Sequence, residues 1–166
     1  MSATTTDLGI AFRPATAADA DRIHAMTQAA YAEYTNTGYP SSVLQERAAD
    51  LQEAIASGRT SALLIEESAG ATVGSVRYRF IEGDCLYFFR LGLLPEARGR
   101  GIARQVIDHL ERLARNQGFT RIRCQVRVAV PRNYHLYESA GFERIGEETA
   151  RRGDADVIIA TMEKRL

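Results

Sequence analysis

Tryptophan is absent from the 166 residues, cysteine occurs twice, proline four times, and lysine once, at Lys164. Cys85 and Cys124 sit in separate apolar runs with no Cys-x-x-Cys pair, which excludes the disulfide frameworks that staple small secreted domains. His24, His109 and His135 are scattered along the chain, so no closely spaced ligand set forms and no metal is expected. No stretch approaches the roughly 18 consecutive apolar residues that span a bilayer. The opening MSATTTDLGI carries neither a positive cluster nor the apolar run of a secretory signal. These absences predict a cytoplasmic protein with reduced thiols and no membrane attachment. Charge of one sign is also missing: 21 cationic residues balance 21 acidic ones, which argues against a general nucleic-acid partner.

Hydrophobic residues make up 45% and charged residues 25% of the chain, the composition of an ordinary globular domain with one core. Residues 1–8 read as a flexible tail and 9–166 as a single domain. Because lysine is nearly missing, the cations are arginines, many of them between Arg90 and Arg132. Guanidinium grips phosphate in a planar fork, so that segment suits a phosphorylated small ligand. A solvated helix face accounts equally well for the same charges.

Ile10 to Arg13 reads as a first strand stopped by Pro14. A helix follows, opened by a capping box at Thr16-x-x-Asp19, with Ile23, Met26 and Ala30 at helical spacing up to about Tyr34. Ser42-x-x-Gln45 predicts the start of a second helix carrying Leu44, Ala48, Leu51 and Ile55 on one stripe. Strands are expected at Thr60 to Glu66, Thr72 to Ile81 and Cys85 to Leu94, joined by hairpin turns. A helix from Gly99 to about Gln117, a strand from Arg121 to Val128, a short helix from Arg132 to Ala140 and two final strands complete the order βααβββαβαββ. The strands flanking the Gly99 helix form a βαβ unit and should run parallel. Gly92 inside the first of them marks either a bulge or a close approach of another backbone. A bulge there would part the two strands and leave main-chain groups facing a slot.

The strongest local signal is LGLLPEARGRGIA, Leu91 to Ala103, where a strand feeds a Gly-rich turn and then a helix. Glycine permits a sharp turn and leaves no Cβ between the amides and a ligand. Successive N–H groups at a helix start bind anions, and a pyrophosphate fits. The spacing is neither that of a Walker loop nor that of the dinucleotide fingerprint. Arg98-x-x-Gly101-x-Ala103 resembles the Arg/Gln-x-x-Gly-x-Gly/Ala motif of the GNAT superfamily of acyl-CoA-dependent N-acyltransferases. Asn133 to Phe142, NYHLYESAGF, resembles that superfamily's second segment, and the element order agrees over nearly the whole chain. Ala103 in place of the commoner glycine and Leu93 in place of the frequent valine are the departures.

The resemblance implies an α/β (α+β) GNAT-like single domain. Its six- to seven-stranded sheet is mixed and mostly antiparallel, with a central parallel βαβ unit splayed at a cofactor slot and about four helices on both faces. It implies an acetyl-CoA-dependent N-acetyltransferase acting on a small-molecule or exposed protein amine by direct attack; a non-catalytic acyl-CoA sensor of the same fold is the alternative. Amides of Arg98, Gly99, Arg100, Gly101, Ile102 and Ala103 would hold the pyrophosphate, and Leu91, Gly92 and Leu93 the pantetheine arm. Asn133 would hydrogen-bond the cofactor. Tyr137 would sit near the sulfur as general acid, since a phenol of pKa about 10 can protonate a thiolate of conjugate pKa about 8.5. A core aromatic is the competing reading of Tyr137, and a helix cap that of Asn133. The base is not named by any motif; His135 is the first candidate, with Glu82, Asp84 and Glu138 behind it. Tyr31, Tyr34 and Tyr39, with the hairpin near Arg151 to Asp156, are the expected acceptor wall. A homodimer is compatible with this reading.

Overall fold

A computed structural model describes residues 9–34, 42–152 and 154–166. Seven strands form one sheet: β1 (Ile10–Pro14), β2 (Ser61–Glu67), β3 (Thr72–Ile81), β4 (Cys85–Leu93), β5 (Arg121–Arg127), β6 (Glu143–Arg152) and β7 (Ala155–Arg165). Their spatial order is β1-β2-β3-β4-β5-β7-β6. Every pairing is antiparallel except β4 with β5. The helices are α1 (Ala20–Tyr31), α2 (Ala48–Ala56), α3 (Ile102–Asn116) and α4 (Pro131–Ser139). No helix among the described residues is long and apolar enough to cross a membrane.

The helices lie on both faces of the sheet because the strands bury both. Leu86 and Phe88 of β4, with Ile122, Cys124 and Val126 of β5, pack into the larger core with α3. The α3 stripe of Ile102, Val106, Ile107, Leu110 and Ala114 recurs at helical spacing and is fully buried. On the opposite face Ala62 and Leu64 of β2 pack with Ala20 and Ile23 of α1 and Leu51 of α2. Two buried or half-buried ion pairs tie the layers to the sheet: Arg77 of β3 holds Glu46, in the link before α2, at 2.6 Å, and Lys164 of β7 holds Glu111 of α3 at 2.8 Å.

Two local expectations differ from the structure. Ser42–Gln45 is a separate 3-10 turn, and α2 begins only at Ala48, after Arg47 in extended conformation. Val43 of that turn is fully buried, so packing of one apolar side chain, not a helix cap, fixes the segment. The capping box at Thr16 is present, with the Thr16 N–H donating to Asp19 Oδ2 at 2.8 Å.

The second difference concerns Gly92. The bulge in β4 lies earlier, since Ser75 pairs with Gly92 and Arg77 with Phe89, leaving Arg90 and Leu91 opposite Val76 alone. Arg90 takes a left-handed φ of 54°. Gly92 has the other meaning a strand glycine can have: a Cβ there would stand 2.8 Å from Ala30 Cβ and 3.1 Å from the Tyr31 ring. It lets α1 close onto the sheet. The parting of the strands is observed: β4 pairs with β5 only through Cys85, Leu86 and Tyr87. Beyond Tyr87 the two strands diverge and a slot opens between them.

Candidate active site

A cavity of about 680 Å3 occupies that slot. Its first wall is the chain that leaves β4. Leu94 donates its N–H to Val73 at 2.8 Å, Pro95–Ala97 forms a 3-10 turn, and residues 98–101 lead into α3. Gly99 and Gly101 have φ of 73° and 76°, a region that costs a residue with a Cβ roughly 1–2 kcal/mol. No protein atom lies within 4 Å of where either Cβ would stand, so the space against the turn is open. Arg98 anchors the turn: its Nε donates to the Leu93 carbonyl at 3.3 Å and its Nη2 to the Ala30 carbonyl at 2.8 Å. The start of α3, entered from a turn with left-handed glycines at 99 and 101, could hold an anion through the N–H groups of its first turn and its dipole.

Of the residues expected to hold a cofactor, Leu91, Gly92, Leu93, Arg98, Gly99, Gly101, Ile102, Ala103, Asn133 and Tyr137 all line this cavity. Arg100 does not; its side chain turns to Glu67 at 2.6 Å. The Leu91 carbonyl already accepts the Tyr31 hydroxyl at 3.1 Å. The cradle fits an extended ligand with a diphosphate end: open glycine turns, a helix start, and a strand edge that has lost its neighbour.

Asn133 stands in the first turn of α4, two residues inside it; Val130 is the N-cap and Pro131 the first helical residue. That removes the capping role for Asn133. Tyr137 is 8% exposed, with its ring 5.8 Å from both Phe88 and Phe142. Packing and cavity lining coexist in Tyr137, because α4 runs along the slot with one face in the core. Cys124 also lines the cavity. Burial pushes its thiol far above the usual range, which keeps it protonated and inert as a nucleophile.

The other wall lies on the α1 and α2 face of the sheet. Tyr87 and Phe89 of β4 stack at 5.6 Å, and the Arg79 guanidinium lies 5.3 Å from the Tyr87 ring. Arg90, Arg127 and Arg152 line the same cavity. Strand alternation could have placed Arg79 opposite Tyr87, since they pair directly, but nothing in the sequence joins β3, β5 and β6 at one opening. Tyr31 is in this wall as expected. Tyr34 ends the 3-10 turn Ala32–Tyr34, and Tyr39 lies outside the described residues.

His135 is not brought to the slot. It faces a separate cavity with Pro131, Tyr134 and Arg144, and its side chain is 73% exposed with Nδ1 3.8 Å from Glu138. Glu82 and Asp84 stand at the start of β4, the end where the strands are still paired. Among the described residues the carboxylate that lines the cavity is Glu33, and Arg98 and Arg132 both hold it, Arg98 at 3.3 Å.

A family model described as Acetyltransferase (GNAT) family matches residues 23–142. Rat N-acetyltransferase 8 is 31% identical over 114 residues, which cover 66% of this chain and 51% of the relative. Mouse probable N-acetyltransferase family 8 member 5 is 28% identical over 114 residues, covering 66% and 50%. The chain spans about half the length of these curated relatives. Among solved structures, a chimera of the Vibrio cholerae spermidine N-acetyltransferase SpeG superposes with a TM-score of 0.76 at 21% identity, covering 93% of this chain and 94% of the other. An IAA acetyltransferase from Bacillus cereus superposes with a TM-score of 0.67 at 11% identity, covering 95% and 99%.

Proposed function

Because this chain belongs to the GNAT acetyltransferase family, whose model spans residues 23–142, we propose that it transfers an acetyl group from acetyl-CoA to a primary amine. The observation that carries this reading is the continuity of one cavity from the Gly99–Gly101 turn, past the unpaired edge of β4, to Tyr137. At one end, N–H groups of the turn and the first residues of α3 hold the diphosphate. Along the middle, main-chain groups of Leu91 to Leu93 and the Asn133 amide orient the arm. The donor supplies an activated thioester carbonyl.

The chain's own groups then act at that carbonyl. An N–H of the splayed β4 segment would stabilise the developing oxyanion, and Tyr137 would give its phenolic proton to the departing thiolate. Burial keeps the Cys124 thiol protonated, and the step we propose is direct attack by the amine. With Glu33 engaged by two arginines and no imidazole among the described lining residues, the amine would lose its proton to water in the open cavity before attack. This assignment replaces His135 as the base.

Titration calorimetry with acetyl-CoA, followed by thiol release over an amine panel, tests the proposal. Heat on titration together with thiol release for at least one amine is the expected result. Heat without release for any amine would leave the non-catalytic sensor reading, and no heat from folded protein would remove both. Spermidine is the acceptor named for the Vibrio structures; at about a fifth identity, that likeness carries the fold and not the acceptor.

A further inference from the structure

Arginines dominate the charge of the cavity wall. Arg79 of β3, Arg90 of β4, Arg127 of β5 and Arg152 of β6 all line it, and the described carboxylate in the same wall, Glu33, is bound by Arg98 and Arg132. Burial is the main cause raising the Tyr87 phenol, with Glu148 adding least, and Glu148 is exposed and outside the cavity wall. Four strands contribute one guanidinium each, so the cluster is a product of the fold and not of a local charge run.

Three of these groups have no ion pair among the described residues. Arg90 is half-buried, holds a left-handed backbone at the bulge, and makes its side-chain contact to Ser42 Oγ at 3.2 Å. Burial is the main cause lowering its pKa, with the like charge of Arg77 adding to it and Tyr31 and Glu46 opposing. Glu46 is not available to neutralise it, because Arg77 takes both of its oxygens, at 2.6 and 2.8 Å. Arg152 donates to the Arg151 carbonyl at 2.9 Å, while the neighbouring Asp156 is taken by Arg151. Arg79 stands over Tyr87 and Phe89, 5.3 and 5.5 Å from their ring centroids. Unpaired guanidinium groups gathered in one concavity repel each other and any cationic ligand, and a planar oxyanion satisfies them in bidentate fashion.

We propose that the acceptor is a primary amine that also carries an oxyanion, a carboxylate or a phosphate ester, gripped by Arg90 and Arg152, and that polycationic amines are rejected. This rests on the acetyltransferase reading above and specifies its second substrate. The aromatic pair Tyr87 and Phe89, beside Arg79, gives the same wall an apolar flank for the body of such a molecule.

The test has a catalytic arm and a binding arm. With saturating acetyl-CoA, thiol release is compared within matched pairs, phenylalanine against phenethylamine and phosphoethanolamine against ethanolamine, with spermidine alongside. At least about a tenfold higher kcat/KM for an anionic member is expected, the equivalent of one charge-assisted contact, and the better pair tells carboxylate from phosphate. Calorimetry with and without CoA compares 3-phenylpropanoate and phenyl phosphate with phenethylammonium, which needs no turnover. Tighter binding of an anion supports the proposal even where no small amine is acetylated, while failure of acetyl-CoA to bind would sink the enzyme reading separately. Arg90→Gln, which places another non-glycine residue at the same φ, and Arg152→Gln on the distant hairpin should each reduce the anion preference at least about threefold. Spermidine or the non-anionic partner serving as well as the anionic one, anion and cation binding alike, or an unchanged preference in both variants would overturn it.

Discussion

Tyr137 illustrates how one side chain serves packing and chemistry together. Its ring is wedged between Phe88 and Phe142, so the aromatic body belongs to the core while the residue still lines the slot. Tyr137→Phe preserves the ring contacts and removes the hydroxyl. Turnover should fall roughly 100-fold, the lower range for loss of a positioned general acid, with acetyl-CoA affinity within about twofold of the parent. Steady-state kinetics with calorimetry checks this; unchanged kcat at saturating substrates would take Tyr137 out of the chemistry. Arg98 shows the opposite division. Its side chain is spent on the Leu93 and Ala30 carbonyls and on Glu33, so it positions the turn, and the N–H groups of the turn remain the expected donors.

The elements that matter most are the turn before α3 and the contact of α1 with β4. Gly101 is the N-cap of α3 in a left-handed conformation, with open space where its Cβ would be. Gly101→Asp adds backbone strain and places a negative charge where a diphosphate is expected. Acetyl-CoA affinity should drop at least about tenfold, or 1.4 kcal/mol, with the circular dichroism of the fold retained; equal affinity in calorimetry would refute the turn as the phosphate site. Gly92 is different because its neighbours are protein: Ala30 and Tyr31 already occupy the space. Gly92→Val should push α1 off β4 and destabilise the domain by about 1–3 kcal/mol, the usual cost of overpacking. Urea unfolding would show this as a lower midpoint at unchanged slope. The Tyr31 hydroxyl would lose its Leu91 carbonyl in the same variant.

At the scale of the whole molecule the slot is a defect in the sheet that every layer helps maintain. β4 and β5 share three residue pairs and then part, with α3 and α4 packed on one face and α1 on the other. A ligand lying in the slot would bridge β4, α3 and α4, and so bind the folded chain alone. At a ligand concentration about 100 times its Kd this linkage is worth about 2.7 kcal/mol. For a domain of this size that amounts to a rise in Tm of about 5–10 °C. Thermal unfolding monitored with acetyl-CoA and with a nucleotide lacking the pantetheine arm should separate the two, the full donor giving the larger shift. An identical shift for both would mean that the unpaired β4 edge contributes nothing.

Legibility followed range. The order of strands and helices, the parallel βαβ unit and the glycine turn could be read from the chain because each depends on neighbours a few residues away: periodicity, caps, and the dihedral freedom of glycine. The segment Ser42–Gln45 misled because a capping pattern and a helical stripe were satisfied locally while the burial of Val43 broke the helix in two. Gly92 carried two readings that only the position of α1 could separate. The acceptor wall was out of reach, since Arg79, Arg90, Arg127 and Arg152 meet only after four strands have been laid side by side and two of them forced apart. By itself the sequence determined the order of elements, the glycine turn and the family; the tertiary structure alone decided where the bulge falls, which side chains reach the opening and the sign of its charge, because those depend on contacts between residues far apart along the chain.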